Sequence, residues 1–392
     1  MNKNLLILTL SQIFSFTAAP VTVFLSGIIG SQISPVKSLA TLPMSISVVG
    51  IAIGAIIATK VMSLIGRKYG FIIASMGNML TSILAAYSIM TQNFILFCFA
   101  NFFLGIGMAF THQYRFAAAE SVEKNKAPKA ISIILFGGII SAFLGPSLAN
   151  YAKDIFSNNL YVGSYLALAL LTFIPTILFL FFESKSNIKT NVKYAGRNYL
   201  ELISQPRFIQ SITASAFGYA IMTFLMTATP ISMHIIHNLS LEKTGIVIQF
   251  HVLSMFLPSL VTGSLINKFG YSKIMYSGVF LYILTIVMSF FDPSFFSYLV
   301  GLIFLGIGWN FLFVSGTSLL VTTYTPEEKF KAQGFNDLVV FSFTAVSSLS
   351  AGILISMTSW KSVNLLCIPF LVLIILSILN ADRKNQREKY EN

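Results

Sequence analysis

The sequence predicts an all-α membrane protein with about twelve transmembrane helices, arranged as two pseudo-symmetric six-helix bundles. Its composition is the first observation: of 392 residues, 55% are hydrophobic and only 10% are charged. Roughly a quarter of the residues of a soluble domain are charged. A soluble chain with so few charges could not cover its core with a hydrated surface. Recurring charge-free stretches and a one-sided distribution of lysine and arginine are the second and third observations.

The charge-free stretches predict the number of helices, because a bilayer core about 30 Å thick needs roughly 20 apolar residues in a helix. Only helices or closed barrels satisfy backbone polar groups in lipid, and the alternation over about ten residues that is typical of barrels does not occur. Thr91-Gln92-Asn93 and Asp292-Pro293 each divide an apolar run too long for one span. The predicted spans are 5–29, 38–59, 70–90, 94–116, 130–152, 161–182, 207–230, 243–265, 273–291, 295–323, 333–356 and 362–380.

The positive charges predict the orientation. If the amino terminus is cytoplasmic, all of the 25 lysines and arginines face the cytoplasm except Lys37, Lys153, Lys243 and Lys361. This is the bias of the positive-inside rule, and it places the chain in the cytoplasmic (inner) membrane with both termini cytoplasmic. The longest polar segment predicts a linker. The expected domains are an amino-terminal six-helix bundle at 1–182, a cytoplasmic linker at 183–206, a carboxy-terminal six-helix bundle at 207–381 and a cytoplasmic tail at 382–392.

Other classes of protein are excluded by where the polar residues lie. A net charge of +12 suits nucleic-acid binding, but the cations form short clusters between apolar stretches, so no nucleic-acid partner is expected. Cys98 and Cys367 are isolated within apolar stretches and predict neither a disulfide nor a metal site. The sequence has no GxxxxGK[ST] motif, so ATP is not expected to drive the protein. No cofactor is expected.

An internal repeat relates the two halves of the chain. FLGIG occurs at Phe103–Gly107 and again at Phe304–Gly308. A Lys-Ala pair follows each copy about twenty-five residues later, beginning at Lys129 and at Lys331. The loop between the second and third spans contains SLIGRKYG, and its counterpart between the eighth and ninth contains GSLINKFGYSK. Three features at a common offset of roughly two hundred residues predict parallel repeats related by an axis along the membrane normal.

These two loops resemble degenerate copies of the major facilitator superfamily signature GxLxDRxGRK. The matching residues are Gly66, Arg67 and Lys68 in the first copy and Gly263, Leu265, Lys268 and Gly270 in the second. Ser63-Leu64 replaces the Asp-Arg of the signature in the first copy, and Asn101 stands where many members carry an arginine in the fourth span. The resemblance implies the twelve-helix fold, secondary transport, and coupling or gating roles for Gly66, Arg67, Lys68, Gly263, Lys268 and Gly270.

Stretches such as ATPISMHIIH and YTPEEKFKAQGFNDL are also similar to a bacterial branch of this family that includes a riboflavin importer. The family geometry implies that the first and fourth spans of each half surround the substrate cavity. The resulting candidates for substrate binding are Gln12, Phe16, His112, Gln113, Arg115, Trp309 and Asn310. Arg115 could bind an anionic group of the solute or snorkel to the cytoplasmic surface.

Ionisable groups inside spans are costly, so each is a functional candidate. Asp337, which follows Asn336, could carry a proton, or it could pair with a loop cation such as Lys268 and stabilise the cytoplasmic gate. His251, close to Gln249, could relay protons or could only form a hydrogen bond across a helix interface. These residues are therefore candidates for coupling or gating, and both interpretations of each ionisable group stay open.

The predicted function is secondary transport of a small organic solute by alternating access, with protons as the candidate coupling ion. Uptake of a nutrient or vitamin-like compound is favoured. Gly145-Pro146 resembles a motif of antiporter branches and supports the alternative, proton-driven efflux of drugs or siderophores. A non-transporting receptor or scaffold is the alternative class. The sequence shows no nucleophile–base pair and no set of metal ligands, so an enzyme is not expected. The expected partners are the solute and membrane lipid, and a monomer is expected.

Overall fold

The computed structural model describes residues 2–36, 39–156, 159–183 and 196–391, and this part of the chain is almost entirely helical. Lys37 and half of the predicted linker at 183–206, residues 184–195, lie outside the described residues. A short 3₁₀ turn, Lys124–Lys126, precedes α6. The helices of the first half are α1 Lys3–Phe16, α2 Ala18–Ile33, α3 Leu42–Met90, α4 Phe94–His112, α5 Tyr114–Glu120, α6 Ala127–Ala152 and α7 Val162–Leu180.

The second half begins, within the described residues, with a short helix that precedes its first span. A π-helical turn, Ile231–Ile236, extends the first span of this half beyond Pro230. Such turns are rare within α-helices. The helices are α8 Tyr199–Ile203, α9 Pro206–Pro230, α10 Leu241–Phe256, α11 Ser259–Phe269, α12 Tyr271–Met288, α13 Phe295–Leu320, α14 Lys329–Met357, α15 Trp360–Leu365 and α16 Ile368–Glu391.

The number of membrane spans follows from the lengths of these helices. Ten helices in the described parts of the chain are long and apolar enough to cross a membrane, and the bent pair Glu242–Phe256 and Ser259–Phe269 makes an eleventh. α3 has 49 residues, and a straight helix of this length would extend about 74 Å, more than twice a bilayer core. The backbone of α3 leaves the helical conformation at Gly66, so α3 holds two spans. The predicted fold class, with about twelve spans, is confirmed.

The two signature loops are tighter than predicted. Between predicted spans 38–59 and 70–90 the helix continues, and its backbone is interrupted at Gly66; in the second copy, Gly270 separates α11 from α12. Gly66 has φ 82° and ψ 164°, and Gly270 has φ 84° and ψ 163°. This region of backbone space is essentially restricted to glycine. The predicted loops are shortened to single breaks because one glycine supplies each interruption, while the residues around it lie in helical turns.

Other spans are also broken within their length, and three of these breaks involve Thr17, Gln113 and Pro258. Thr17 separates α1 from α2, and Gln113 separates α4 from α5. The third break bends α10 against α11 by 41° next to Pro258. Proline has no N–H to donate and its ring clashes with the preceding turn, which explains this bend. Each break releases backbone carbonyl groups that need other partners inside the span.

The repeated FLGIG motif marks close helix contacts in both halves. A Cβ atom on Gly105 of α4 would lie 2.1 Å from the carbonyl oxygen of Ser47 in α3. A Cβ atom on Gly306 of α13 would lie 2.0 Å from Oγ of Ser254 in α10. A larger residue would therefore force either pair of helices apart, and small residues are what such membrane interfaces require. The repeat in the sequence reflects the same packing requirement at equivalent positions.

The described helices pack into two compact units, which do not follow the order of the chain completely. The segment Gln333–Phe341 of α14 packs within unit 1, although the rest of α14 belongs to unit 2, and the start of α6 packs within unit 2. Unit 1 comprises the described residues of Met1–Val122, Gly137–Tyr194 and Gln333–Phe341, and unit 2 those of Glu123–Phe136, Ala195–Ala332 and Ser342–Asn392. The exchange of the α14 segment brings polar residues of the second half of the chain into unit 1.

Candidate functional site

The fourth span is broken where predicted binding residues meet. α4 ends at His112, α5 begins at Tyr114, and Gln113 lies between them. Carbonyl groups at a helix end need partners outside the helix, and Arg115 Nη1 donates a hydrogen bond to the carbonyl oxygen of His112 at 2.7 Å. Arg115 is only 2% exposed. Its guanidinium group is therefore buried, and the snorkelling interpretation of Arg115 does not hold.

The carboxylate of Asp337 on α14 is the partner of this guanidinium. Arg115 Nη2 donates to Asp337 Oδ1, and Gln113 Nε2 donates to Asp337 Oδ2 at 2.7 Å. Asn336 Nδ2 donates to Oδ1 at 2.9 Å. All four side chains are buried, and a buried ion pair is tolerated only when hydrogen bonds satisfy the rest of each group. Pairing of Asp337 with a loop cation such as Lys268 is wrong, because the break after α4 offers Arg115 within unit 1.

Aromatic rings from three helices lie beside this polar cluster. The rings of Phe16 on α1 and His112 meet edge to face, with centroids 5.9 Å apart. The His112 ring also contacts Phe341 on α14, with centroids 4.4 Å apart. Gln12 lies one helical turn before Phe16, on the same face of α1, and is 4% exposed. We call the set of Gln12, Phe16, His112, Gln113, Arg115, Asn336, Asp337 and Phe341 the three-helix site.

A second polar cluster lies one turn earlier on α14. Arg67 Nε and Nη2 donate to the two carboxylate oxygens of Glu120, at 2.9 and 2.6 Å. Arg67 Nη2 also donates to Gln333 Oε1 at 2.7 Å, and Gln333 Nε2 donates to Glu120 Oε1 at 3.1 Å. Such bidentate pairs are geometrically specific. Lys68, by contrast, is half-buried, and its Nζ donates to the carbonyl oxygen of Leu180 at 2.7 Å.

Gln333 and Phe341 were missed by the sequence analysis, although a signal for them exists. Gln333, Asp337 and Phe341 follow one another at intervals of four residues, which places them on one face of a helix. A search four residues before and after Asp337 in span eleven would have found Gln333 and Phe341. The contacts of Gln333 with Glu120 and of Phe341 with His112 carry no comparable signal, because contacts between helices distant in the chain have no spacing rule.

The second signature copy is arranged differently from the first. A Cβ atom on Gly263 would lie 2.6 Å from Cα of Lys129, so this glycine permits close approach of α11 and the start of α6 within unit 2. Asn267 Nδ2 donates to the carbonyl oxygen of Asn125 at 3.0 Å. The ammonium group of Lys268 lies over the ring of Phe269, 5.2 Å from its centroid. Where the first copy has a bidentate ion pair, the second relies on backbone proximity.

Trp309 and Asn310 are the predicted binding residues of the tenth span. Both lie in unit 2, and each contacts other residues of that unit. The Trp309 ring stacks on Phe313 with centroids 5.1 Å apart and is 2% exposed. Asn310 Nδ2 donates to the Met255 carbonyl oxygen at 2.7 Å and to Ser259 Oγ at 2.6 Å. Asn310 Oδ1 accepts a 2.7 Å hydrogen bond from Thr262. The amide of Asn310 thus bridges the break between α10 and α11.

His251 and Gln249 of α10 also lie in unit 2, and their side chains have different surroundings. His251 is buried, and its Nδ1 is 2.8 Å from the carbonyl oxygen of Leu302. A carbonyl oxygen only accepts, so Nδ1 carries the hydrogen in the neutral ring. Gln249 is exposed. The geometry of His251 matches the interpretation of a hydrogen bond across the α10–α13 interface.

An ion pair outside the spans anchors the amino-terminal end of α14. Glu328 is buried, and its Oε1 accepts hydrogen bonds from Arg197 Nε at 2.9 Å and Arg197 N at 2.8 Å. Its Oε2 accepts from Arg197 Nη2 at 2.6 Å and from Thr325 N at 3.0 Å. The hydrogen bond from the guanidinium of Arg197 is the main reason that the pKa of Glu328 falls to about 2. Lys331 Nζ donates to the Arg197 carbonyl oxygen at 2.8 Å.

The helices and the buried polar groups within them together define a polytopic helical membrane protein. A bacterial homologue of the iron transporter ferroportin in its outward-facing state has a similar structure, with a TM-score of 0.75, 12% identity, and coverage of 98% of this chain and 100% of that chain. FucP in its outward conformation gives a TM-score of 0.73, with 14% identity over 95% of this chain and 97% of that one. The Major Facilitator Superfamily pattern matches residues 5–257 and 211–391. The chain belongs to the Major Facilitator Superfamily.

Relatives in sequence agree with this family. The protein named riboflavin transporter RfnT, from Brucella anthropi, is 34% identical over 381 residues, which are 96% of this chain and 95% of that protein. The MFS-type transporter YdeG of Bacillus subtilis is 27% identical over 385 residues, 93% of this chain and 88% of that protein. The chain is therefore a multi-pass membrane transporter of a small-molecule substrate and not an enzyme. The predicted family is confirmed, and so is the prediction of a membrane transporter.

Proposed function

We propose that this transporter imports a flat, vitamin-like organic solute across the cytoplasmic membrane by alternating access, with riboflavin as the first candidate. The observation that carries the proposal is the 34% identity, over 96% of this chain, to the Brucella anthropi protein named riboflavin transporter RfnT. Similarity that extends over both halves of the chain includes every span that could contact a solute. Solute identity and direction of transport are thus the first properties to test.

The three-helix site supports a flat solute. Phe16 and His112 are half-buried, so part of each ring is available for stacking against a planar heterocycle. Binding sites for small molecules combine such rings with a few well-placed polar groups, and Gln12 and Gln113 supply amides here. At the offset of the FLGIG repeat, Gln113 corresponds to Val314 in the second half. Because the second half has valine at this position, packing alone does not explain why the first half has the polar side chain of Gln113.

We further propose that Asp337 and Arg115 couple transport to a proton gradient. A proton on the Asp337 carboxylate would remove the charge that holds the Arg115 guanidinium. The released guanidinium could then change partner as the transporter changes conformation. Ionisable pairs in the interior of transport proteins commonly form proton relays, and Gly316 stands at the position of the second half equivalent to Arg115. The pair is therefore a feature of this site rather than of the repeat.

Uptake of radiolabelled riboflavin into proteoliposomes, with and without an imposed pH gradient, tests these proposals. Uptake that rises when the outside is acidic is the expected result. Arg115→Gln and Asp337→Asn are expected to abolish the response to the gradient, and Asn364→Gln, a buried amide of unit 2, serves as the control. Full gradient-driven flux in both variants would remove the pair from the coupling mechanism. Gradient-driven extrusion would instead support efflux.

Efflux of drugs or siderophores rested on Gly145-Pro146, and packing accounts for this glycine. A Cβ atom on Gly145 would lie 2.6 Å from Cγ of Pro20, so glycine is needed where α6 approaches α2 within unit 1. Small residues at such contacts occur in membrane helices of any function. The motif therefore gives no preference for export, and uptake stays the proposal.

The proposed orientation places both termini in the cytoplasm, as the distribution of lysine and arginine indicates. Single cysteines introduced at Lys153 and Lys331 into a variant without Cys98 and Cys367 would test it. A membrane-impermeant thiol reagent applied to intact cells is expected to label position 153 and not position 331. Labelling of both positions from outside would contradict the proposed topology.

A further inference from the structure

The amides of Gln113 and Asn336 each form hydrogen bonds through the NH₂ group but not, among the described residues, through the oxygen. Both side chains turn their NH₂ groups towards the carboxylate of Asp337, at 2.7 and 2.9 Å. A carboxylate accepts hydrogen bonds and does not donate them, so each amide oxygen must point away from it. Both oxygens are buried, and among the described residues neither has a hydrogen-bond donor. The orientation of the two acceptors is thus dictated by Asp337.

A third acceptor of the same kind lies on α1. The oxygen Oε1 of Gln12 is buried and also lacks a donor among the described residues. Gln12 shares its helix face with Phe16, whose ring contacts His112, and His112 is adjacent to Gln113 in the chain. Most buried polar atoms in native proteins are paired. Three amide oxygens without donors among the described residues, on α1, on α14 and at the break after α4, lie on segments joined by ring contacts and therefore mark a place suited to hydrogen-bond donors.

We propose that these amide oxygens recognise the ring N–H of the transported solute, and that the substrate class is a planar heterocycle with an imide-type N–H. This inference rests on the proposed function and deepens it. An imide presents one N–H between two carbonyl groups at the edge of a flat ring. The rings of Phe16 and His112 can stack on its face while an amide oxygen accepts from its edge. The isoalloxazine ring of riboflavin belongs to this class.

The chemistry predicts how the site discriminates between solutes. A site whose acceptors are buried rejects an analogue that lacks the matching donor, because the acceptors are then desolvated without compensation. Loss of one neutral hydrogen bond of this kind weakens binding by about tenfold. A planar solute methylated at the imide nitrogen should therefore bind about tenfold more weakly than its parent. A change in the side chain far from the ring should have a smaller effect.

The test measures binding of riboflavin and of its N3-methyl derivative to the purified full-length protein, by quenching of flavin fluorescence. The variants are Gln12→Met, Gln113→Met and Asn336→Leu, which replace the acceptor amides by apolar groups of similar size. Asn364→Leu is the matched control, because Asn364 is also buried with an amide oxygen that lacks a donor among the described residues, but lies in unit 2. Circular dichroism checks that each variant is folded.

The expected result is that the wild-type protein and Asn364→Leu bind riboflavin about tenfold more tightly than the N3-methyl derivative. At least one of the three site variants should lose this preference, because its affinity for riboflavin falls while its affinity for the N3-methyl derivative does not. A purely structural role would weaken both ligands equally, and that outcome overturns the inference. Flavin binding by the wild-type protein without preference for the N–H also overturns it, while the proposed function survives. Absence of any flavin binding would refute the proposed solute itself.

Discussion

Removal of the Asp337 carboxylate is the perturbation whose effect the structure specifies most closely. In Asp337→Leu the guanidinium of Arg115, which is 2% exposed, keeps its charge inside the protein without a counter-ion. Removing one partner of a buried ion pair costs about 3–5 kcal/mol. Gln113 and Asn336 also lose the acceptor for their NH₂ groups, which places the expected loss in the free energy of unfolding at the upper end of this range.

Removal of both charges should behave differently. The double variant Arg115→Met with Asp337→Leu leaves no unpaired charge, and replacement of a whole buried pair by apolar residues is often neutral or stabilising. We expect it to recover most of the loss, so the coupling energy between the two sites should exceed about 2 kcal/mol. The assay is denaturant-induced unfolding in detergent, followed by circular dichroism. The reasoning is refuted if the single variant unfolds within about 0.5 kcal/mol of the wild type, or if the double variant is no more stable than the single.

Three further predictions concern stability. Gly66→Ala should lower the free energy of unfolding by about 1–3 kcal/mol, because its φ of 82° and ψ of 164° suit only glycine; Gly77→Ala, which meets no atom within 4 Å, should instead gain up to about 1 kcal/mol, and equal effects in thermal unfolding would contradict this. Arg67→Lys should lose about 1–2 kcal/mol because lysine cannot form the bidentate contact with Glu120, and a chemical-denaturation curve that matches the wild type would argue against that role. The pKa of Glu328 falls from 4.5 to about 2, so its contribution, about 1–3 kcal/mol, is present above pH 4.5 and lost as the pH falls towards 2. Glu328→Gln should therefore be less stable than wild type at pH 6, and the difference should shrink below pH 4.5; a difference that is independent of pH would exclude this origin.

Much of the fold could be predicted because lipid imposes simple rules on sequence. The length of apolar stretches gave the number of spans, since the bilayer thickness is a constant. The glycines of FLGIG and the signature glycines Gly66 and Gly270 could be recognised as paired positions. Helix breaks such as that at Gln113 could not be predicted, because neither proline nor glycine marks it. The exchange of the α14 segment into unit 1 was equally invisible, since no local pattern records which helices pack together.

The candidate site illustrates the same division. Arg115 and Asp337 were nominated separately, because a charge inside a span is costly wherever it lies. Their pairing was not predicted, and a loop cation, Lys268, was considered as the partner of Asp337 instead. Asn310 could be nominated by its position, but its three hydrogen bonds to Met255, Ser259 and Thr262 depend on how α10 bends. Partners that are distant in the chain are decided by packing.

The amino-acid sequence by itself determined the solvent of this protein, the number of its spans, the repeat of its halves and the short list of polar groups inside it. These properties follow from hydropathy and spacing, which are local in the chain. Only the tertiary structure decided that Arg115 meets Asp337, that Arg67 meets Glu120, and which amide oxygens are left to accept hydrogen bonds. Such contacts join residues on different helices, and their energies depend on distances that no local pattern encodes.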